Sequence, residues 1–135
     1  MKAQSTYTVK KWEENIYDQI SPEQGMSKAS IEFEITGDLS GKATVEYLMF
    51  YKSIDPNDQH NSSAVYTGLM RFAGKLNDRK GSFVMEDHGT FEKGTAGSSL
   101  QIISGSGTDE LKNIQGTGNY IANRDGFRLE LDYEI

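Results

Sequence analysis

Cysteine is absent from the 135 residues, which excludes disulfide staples, thiolate nucleophiles and thiolate metal sites. Positive charge is in deficit, with 14 basic against 20 acidic residues and a formal charge of −6. A phosphate-neutralising surface is therefore not implied, and nucleic acid is not an expected partner. Long apolar runs are missing as well. The longest, Tyr47-Leu48-Met49-Phe50-Tyr51, falls far short of the roughly 20 residues needed to cross a bilayer as a helix. The opening Met1-Lys2-Ala3-Gln4-Ser5-Thr6 lacks the apolar stretch of a signal peptide, so a cytoplasmic protein is expected. Asn61-Ser62-Ser63 then reads as a chance match to a glycosylation acceptor. Proline appears twice and glycine 14 times, above the typical glycine share of about 7%. What remains is a small, acidic, turn-rich chain of a length that suits one domain.

Alternation is the dominant pattern. Ala29, Ile31, Phe33 and Ile35 alternate with Ser30, Glu32 and Glu34, and Phe127, Leu129, Leu131, Tyr133 and Ile135 alternate with Arg128, Glu130, Asp132 and Glu134. Each reads as a strand with one buried and one wet face. A weaker alternation places Ser5, Tyr7 and Val9 together. Longer β-type runs follow at about 43–54, 64–76, 81–92 and 96–104, and another near 117–122. Turn signals at Gly37-Asp38, Asp55-Pro56-Asn57-Asp58, Asn77 to Gly81 and Glu92-Lys93-Gly94 separate them. About eight short strands in a meander predict an all-β chain closed into an eight-stranded antiparallel barrel, which removes both exposed edges. Thr108 heads the one helix-like stretch and is placed to cap a single turn. Residues 13–28 read as a long connection, either a surface loop or a cover over one barrel mouth.

Turn lengths suggest how the middle strands face. A tight turn at 77–81 and pairing of Ile54 near Ala64 set Tyr47 opposite Arg71, and Arg71 opposite Asp87. Tyr47, Tyr51, Arg71 and Asp87 then share the more apolar face, taken as the lumen, and form a candidate ligand pocket. The alternative is an ordinary Arg71–Asp87 ion pair at the barrel mouth or on the outer surface, since burying such a pair costs several kcal/mol per ion. The opposite face carries Leu48, Phe50, Met70 and Phe72, an apolar band expected to serve as an oligomer interface. A two-fold homodimer is the commonest closed form. A one-residue slip would exchange the faces of any one strand.

Catalytic motifs are sparse. Gly105-Ser106-Gly107 and Gly89 to Gly94 begin like nucleotide-binding loops but lack the residues and the strand–helix setting those loops need. The oxygen-rich Asp55 to Asp58 loop has His60 where a calcium loop requires glycine. No Gly-x-Ser-x-Gly elbow occurs, and a lone strand histidine does not make a zinc site, so neither metal nor cofactor is expected. Glu86 and His88 share a strand face while Asp87 points away. These two, with Glu46 on the same outer face, are secondary candidates for acid–base work against the simpler reading of solvated side chains.

The punctuation carries a resemblance over nearly the whole chain. Trp12-Glu13-Glu14, Glu46-Tyr47-Leu48-Met49, Gly68-Leu69-Met70-Arg71, Gly81-Ser82-Phe83-Val84, Gly89-Thr90-Phe91, Ser104 to Thr108, Gly116-Thr117-Gly118 and Leu131-Asp132-Tyr133-Glu134 together resemble an uncharacterised bacterial family. That family is grouped with the allene oxide cyclase-like and dirigent-like barrels. The resemblance implies an eight-stranded antiparallel barrel, usually oligomeric, whose lumen accepts apolar small molecules; it carries no catalytic residue over. Three functions are weighed. The first is a barrel binding an apolar or amphipathic small molecule. The second is a packed oligomeric scaffold, and the third a cyclase-like or isomerase-like enzyme using the same lumen.

Overall fold

The computed structural model describes residues 1–135, apart from the side chain of His60. Eight antiparallel strands close into a barrel in simple sequence order: β1 (Lys2–Gln19), β2 (Gly25–Gly37), β3 (Leu39–Ser53), β4 (Ser63–Leu76), β5 (Arg79–Glu92), β6 (Thr95–Ile102), β7 (Gln115–Asn123) and β8 (Gly126–Glu134). The ring closes where Lys2–Thr6 of β1 pairs with Arg128–Asp132 of β8. Two short 3-10 turns, Gln59–Asn61 and Asp109–Leu111, complete the regular structure.

Alternation works as the sequence indicates in β2 and β8. Ala29, Ile31, Phe33 and Ile35 point inward, as do Leu129, Leu131 and Tyr133, while their charged neighbours stay wet. In β3 and β5 the inward residues are the odd-numbered ones, including Val45, Tyr47 and Met49, and Phe83, Met85 and Asp87. In β4 they are the even-numbered ones, and here the sequence reading is corrected. Tyr47 pairs with Gly68 and Asp87 also pairs with Gly68, so Arg71 sits three residues away, between Thr44 and Val84. The cause is turn geometry on both sides of β4. Ala64 pairs with Tyr51 rather than near Ile54, beside a bulge between Tyr51 and Ser53. The β4–β5 hairpin turns on two residues, Asn77-Asp78, because Asn77 adopts a left-handed φ of 53° that suits a tight hairpin. Lys80 and Gly81 therefore belong to β5. A three-residue offset is odd, so it exchanges the faces of β4.

Two further expectations change. Residues 13–28 are not a loop: β1 runs on to Gln19 and pairs with β2 through Gln19 and Gly25. Bulges between Val9 and Lys11 and between Ile16 and Asp18 hide the period. Thr108 does not cap its turn with its side chain. Its hydroxyl bonds instead to the Ser82 amide (3.0 Å) and hydroxyl (2.7 Å), which ties the β6–β7 connection across the barrel end.

That end is shut. Leu111 and Ile114 from the β6–β7 connection are buried with Ile35, Leu39, Phe72, Leu76 and Phe83. Phe72 and Phe83 lie on neighbouring strands with ring centroids 5.4 Å apart. Among the described residues no helix is long and apolar enough to cross a membrane.

Candidate functional site

Tyrosine and aspartate come together halfway along the lumen because glycine clears the wall beside them. Tyr47, Gly68 and Asp87 occupy one cross-strand row on β3, β4 and β5. A side chain at Gly68 would run into the Glu46 carbonyl and the Tyr47 ring, so its absence lets Tyr47 lie across β4 and reach β5. The next row holds Tyr66, Gly89, Ser98 and Tyr120 on β4 to β7. A Cβ at Gly89 would come within 2.5 Å of the Tyr66 hydroxyl and 2.6 Å of Ser98 Oγ. Glycine in these strands marks a close approach and gives up packing of its own for it.

The hydroxyls form a chain that ends on a carboxylate. Tyr47 donates to Asp87 Oδ2 at 2.6 Å. With that proton committed, the 2.5 Å contact between the Tyr47 and Tyr120 hydroxyls requires Tyr120 to donate. Tyr120 also lies 3.3 Å from the Tyr66 hydroxyl, which is 2.7 Å from Ser98 Oγ. Tyr7 packs edge-on against Tyr120, with centroids 5.7 Å apart. Asp87 is completely buried, and no basic side chain among the described residues is buried with it.

Two buried side-chain oxygens among the described residues have no hydrogen-bond partner, Asp87 Oδ1 and the Tyr7 hydroxyl. Burial pushes the Asp87 carboxyl up to about 6, against the stabilising pull of the Tyr47 hydroxyl and of the neighbouring Ser98. Burial likewise holds the hydroxyls of Tyr7, Tyr47, Tyr66 and Tyr120 above the ordinary phenol range. All four therefore remain neutral donors at physiological pH, and Asp87 is the group that changes charge.

Above this cluster the lumen side of β1 becomes exposed. Cross-strand pairing puts Trp12, Glu14 and Ile16 of β1 on the same face as Ile31, Ala29 and Ser27 of β2, the lumen side. Trp12 and Ile16 are nevertheless exposed. Glu14 bridges the mouth, accepting hydrogen bonds from Ser27 Oγ (2.9 Å) and the Tyr51 hydroxyl (2.5 Å). Tyr51 and Phe91 are half-buried there, and Phe127 stacks on Tyr7 with centroids 5.3 Å apart.

Of the residues singled out from the sequence, Tyr47 and Asp87 meet in the lumen and Tyr51 stands at its mouth. Arg71 does not join them: it is exposed on the outer wall, with Nη2 3.4 Å from Ser82 Oγ. Met70 and Phe72 are core residues, 1% and 0% exposed, so the expected four-residue interface band is reduced to Leu48 and Phe50. Glu46, Glu86 and His88 lie outside. Glu46 bonds Ser30, and His88 holds Thr67 Oγ1 at 2.7 Å and Glu86 at 3.7 Å. An open outer groove of about 640 Å³ runs past His88 between Val65 and Ile121, floored by the backs of Tyr66, Ser98 and Tyr120. Sequence reasoning missed Tyr7, Tyr66, Ser98 and Tyr120. The available signal was same-face spacing of a glycine two positions from a polar residue: Tyr66 with Gly68, Asp87 with Gly89, Gly118 with Tyr120.

A family profile described as a protein of unknown function, DUF3224, matches residues 3–133. The crystal structure of a DUF3224-family protein of unknown function from Shewanella oneidensis MR-1 superposes with a TM-score of 0.80 at 22% identity. The match covers all of this chain and 96% of the other, a likeness of fold. No curated protein matches the sequence.

Proposed function

The chain belongs to the DUF3224 family, and from that premise we propose that it is a small-molecule-binding β-barrel whose ligand is amphipathic. The polar end of the ligand lies at Asp87 and Tyr7, and its apolar part lies in the mouth beside Trp12, Ile16, Tyr51 and Phe127. The observation that carries this reading is Asp87 Oδ1, a buried carboxylate oxygen without a partner in a lumen otherwise furnished with donors. Leaving such a group unmade costs about 1–3 kcal/mol and more when it is charged. Binding sites are mostly apolar with a few placed polar groups, which is the composition found here. A ligand group that donates a hydrogen bond fits Oδ1, and one that also offers a second polar atom fits the Tyr7 hydroxyl. The meander order supports placing the barrel beside the allene oxide cyclase-like and dirigent-like barrels, whose lumens accept apolar small molecules. A carboxyl near 6 at the end of a hydroxyl chain is also suited to proton transfer, so turnover of the bound molecule would add catalysis to binding.

Native mass spectrometry of freshly purified, untagged protein tests the reading, followed by denaturing analysis of the same sample. A reproducible organic mass released on denaturation is the expected result. A clean protein mass that also fails to shift with added amphipathic amines and alcohols would overturn it. The packed shut end would then define a structural barrel.

A further inference from the structure

Past the barrel ring, the distal half of β1 has an edge that no other strand of the chain pairs. The first residues of β1, Lys2–Thr6, are paired on both sides, but from Tyr7 to Gln19 only β2 pairs with it, and β8 begins too late to reach the other edge. Long bare edges template pairing with another strand. This one also leaves Trp12, Ile16 and Tyr17 between 41% and 52% exposed. Its sequence at the centre reads Lys10-Lys11-Trp12-Glu13-Glu14, which is charge-complementary to itself when reversed.

We propose that two copies of this chain pair along the free edge of β1, antiparallel about a two-fold axis at Trp12. In that register Lys11 faces Glu13 of the other copy and Glu13 faces Lys11, on one side of the ribbon. The two tryptophans meet on the other side, while Lys10, the bulge residue that reaches Glu34, lies outside this ladder. Directly opposed residues share a face and touch, and a two-fold operator makes each contact twice. Any register that sets Glu13 opposite Glu14, or Lys10 opposite Lys11, places like charges together. In the single chain Lys11 lies 3.2 Å from Glu13 and Lys10 3.7 Å from Glu34, both exposed pairs, while Glu14 is held at the mouth by Ser27 and Tyr51. Such pairs are worth little and exchange freely. The bulge at Lys10 confines the regular ladder to its centre, so side-chain complementarity sets the register and backbone pairing with the buried tryptophans supplies the attraction.

The test is sedimentation of the full-length protein over a concentration series, with emission from Trp12, the sole tryptophan, recorded alongside. The wild type is expected to dimerise with a blue shift that follows the dimer fraction. Lys11→Glu and Glu13→Lys are each expected to raise the dimer dissociation constant at least tenfold while thermal unfolding stays unchanged. Mixing the two variants in equal amounts is expected to restore association, because only the heterodimer regains both opposed charge pairs. A monomer at millimolar concentration would overturn the proposal. So would a dimer indifferent to both substitutions, a loss that mixing does not restore, or association without a change in tryptophan emission.

Discussion

The two ends of this barrel solve opposite problems with the same eight strands. At the shut end, Phe72, Phe83, Leu39, Leu76 and Leu111 are all at most 1% exposed, and the β6–β7 connection seals them in. Toward the mouth, Asp87 and three tyrosines form a buried polar chain beside Tyr7, with Asp87 Oδ1 and the Tyr7 hydroxyl unpartnered, and farther out Trp12 and Ile16 stand in water. Stability is concentrated at one end and the polar groups toward the other. Close-packed apolar rows give a surplus that tolerates an ionisable group without a counter-ion a few residues along the same strands.

Truncating the shut end should destabilise the barrel most. Phe72→Ala is expected to cost about 3–5 kcal/mol, read from the urea midpoint, because a wholly buried ring leaves a cavity that surrounding strands cannot fill. Asp87→Asn should do the reverse under the right conditions. The folded-state carboxyl is raised to about 6, so the folded protein holds its proton more tightly than the unfolded chain. Stability is therefore greatest below about pH 4 and declines as pH rises to about 6, by on the order of 3 kcal/mol at about 1.4 kcal/mol per tenfold in proton affinity. Asp87→Asn should be the more stable protein at pH 7.5 and lose that advantage at pH 4, as unfolding curves at the two values will show.

Tyr47→Phe should have a smaller effect. It strips Asp87 Oδ2 of its donor while keeping the ring, so a loss of about 1–3 kcal/mol is expected at neutral pH and less at pH 4, where the carboxyl carries its own proton. Arg71→Ala should do least. The side chain is exposed on the outer wall, so a change within about 0.5 kcal/mol is expected, together with unaltered ligand binding by mass spectrometry.

The strands were legible wherever one face is wet and the other dry. Ile31, Phe33 and Ile35, and Leu129, Leu131 and Tyr133, alternate with charges and point where alternation says they should. β4 was not legible in the same way, because it is apolar on both faces: Val65 and Leu69 outside, Tyr66, Met70 and Phe72 inside. Its facing then depended on turn length, and the left-handed Asn77 made the turn shorter than its polar composition implied. The distal half of β1 was hidden for a related reason, since its two bulges and exposure of Trp12, Ile16 and Tyr17 remove any period. Of the lumen cluster, Tyr47 and Asp87 could be named from apolar neighbours two residues away. Tyr66, Ser98 and Tyr120 depend on cross-strand register, which only the assembled barrel fixes.

The most direct measurement is a high-resolution crystal structure of the protein as purified, read at Asp87 Oδ1 and the Tyr7 hydroxyl. The expected result is continuous density for an organic group, hydrogen-bonded to Oδ1 and extending past Phe127 toward the mouth. An isolated water bridging the two oxygens, with the mouth otherwise filled by the chain's own side chains, would rule out a ligand-binding lumen.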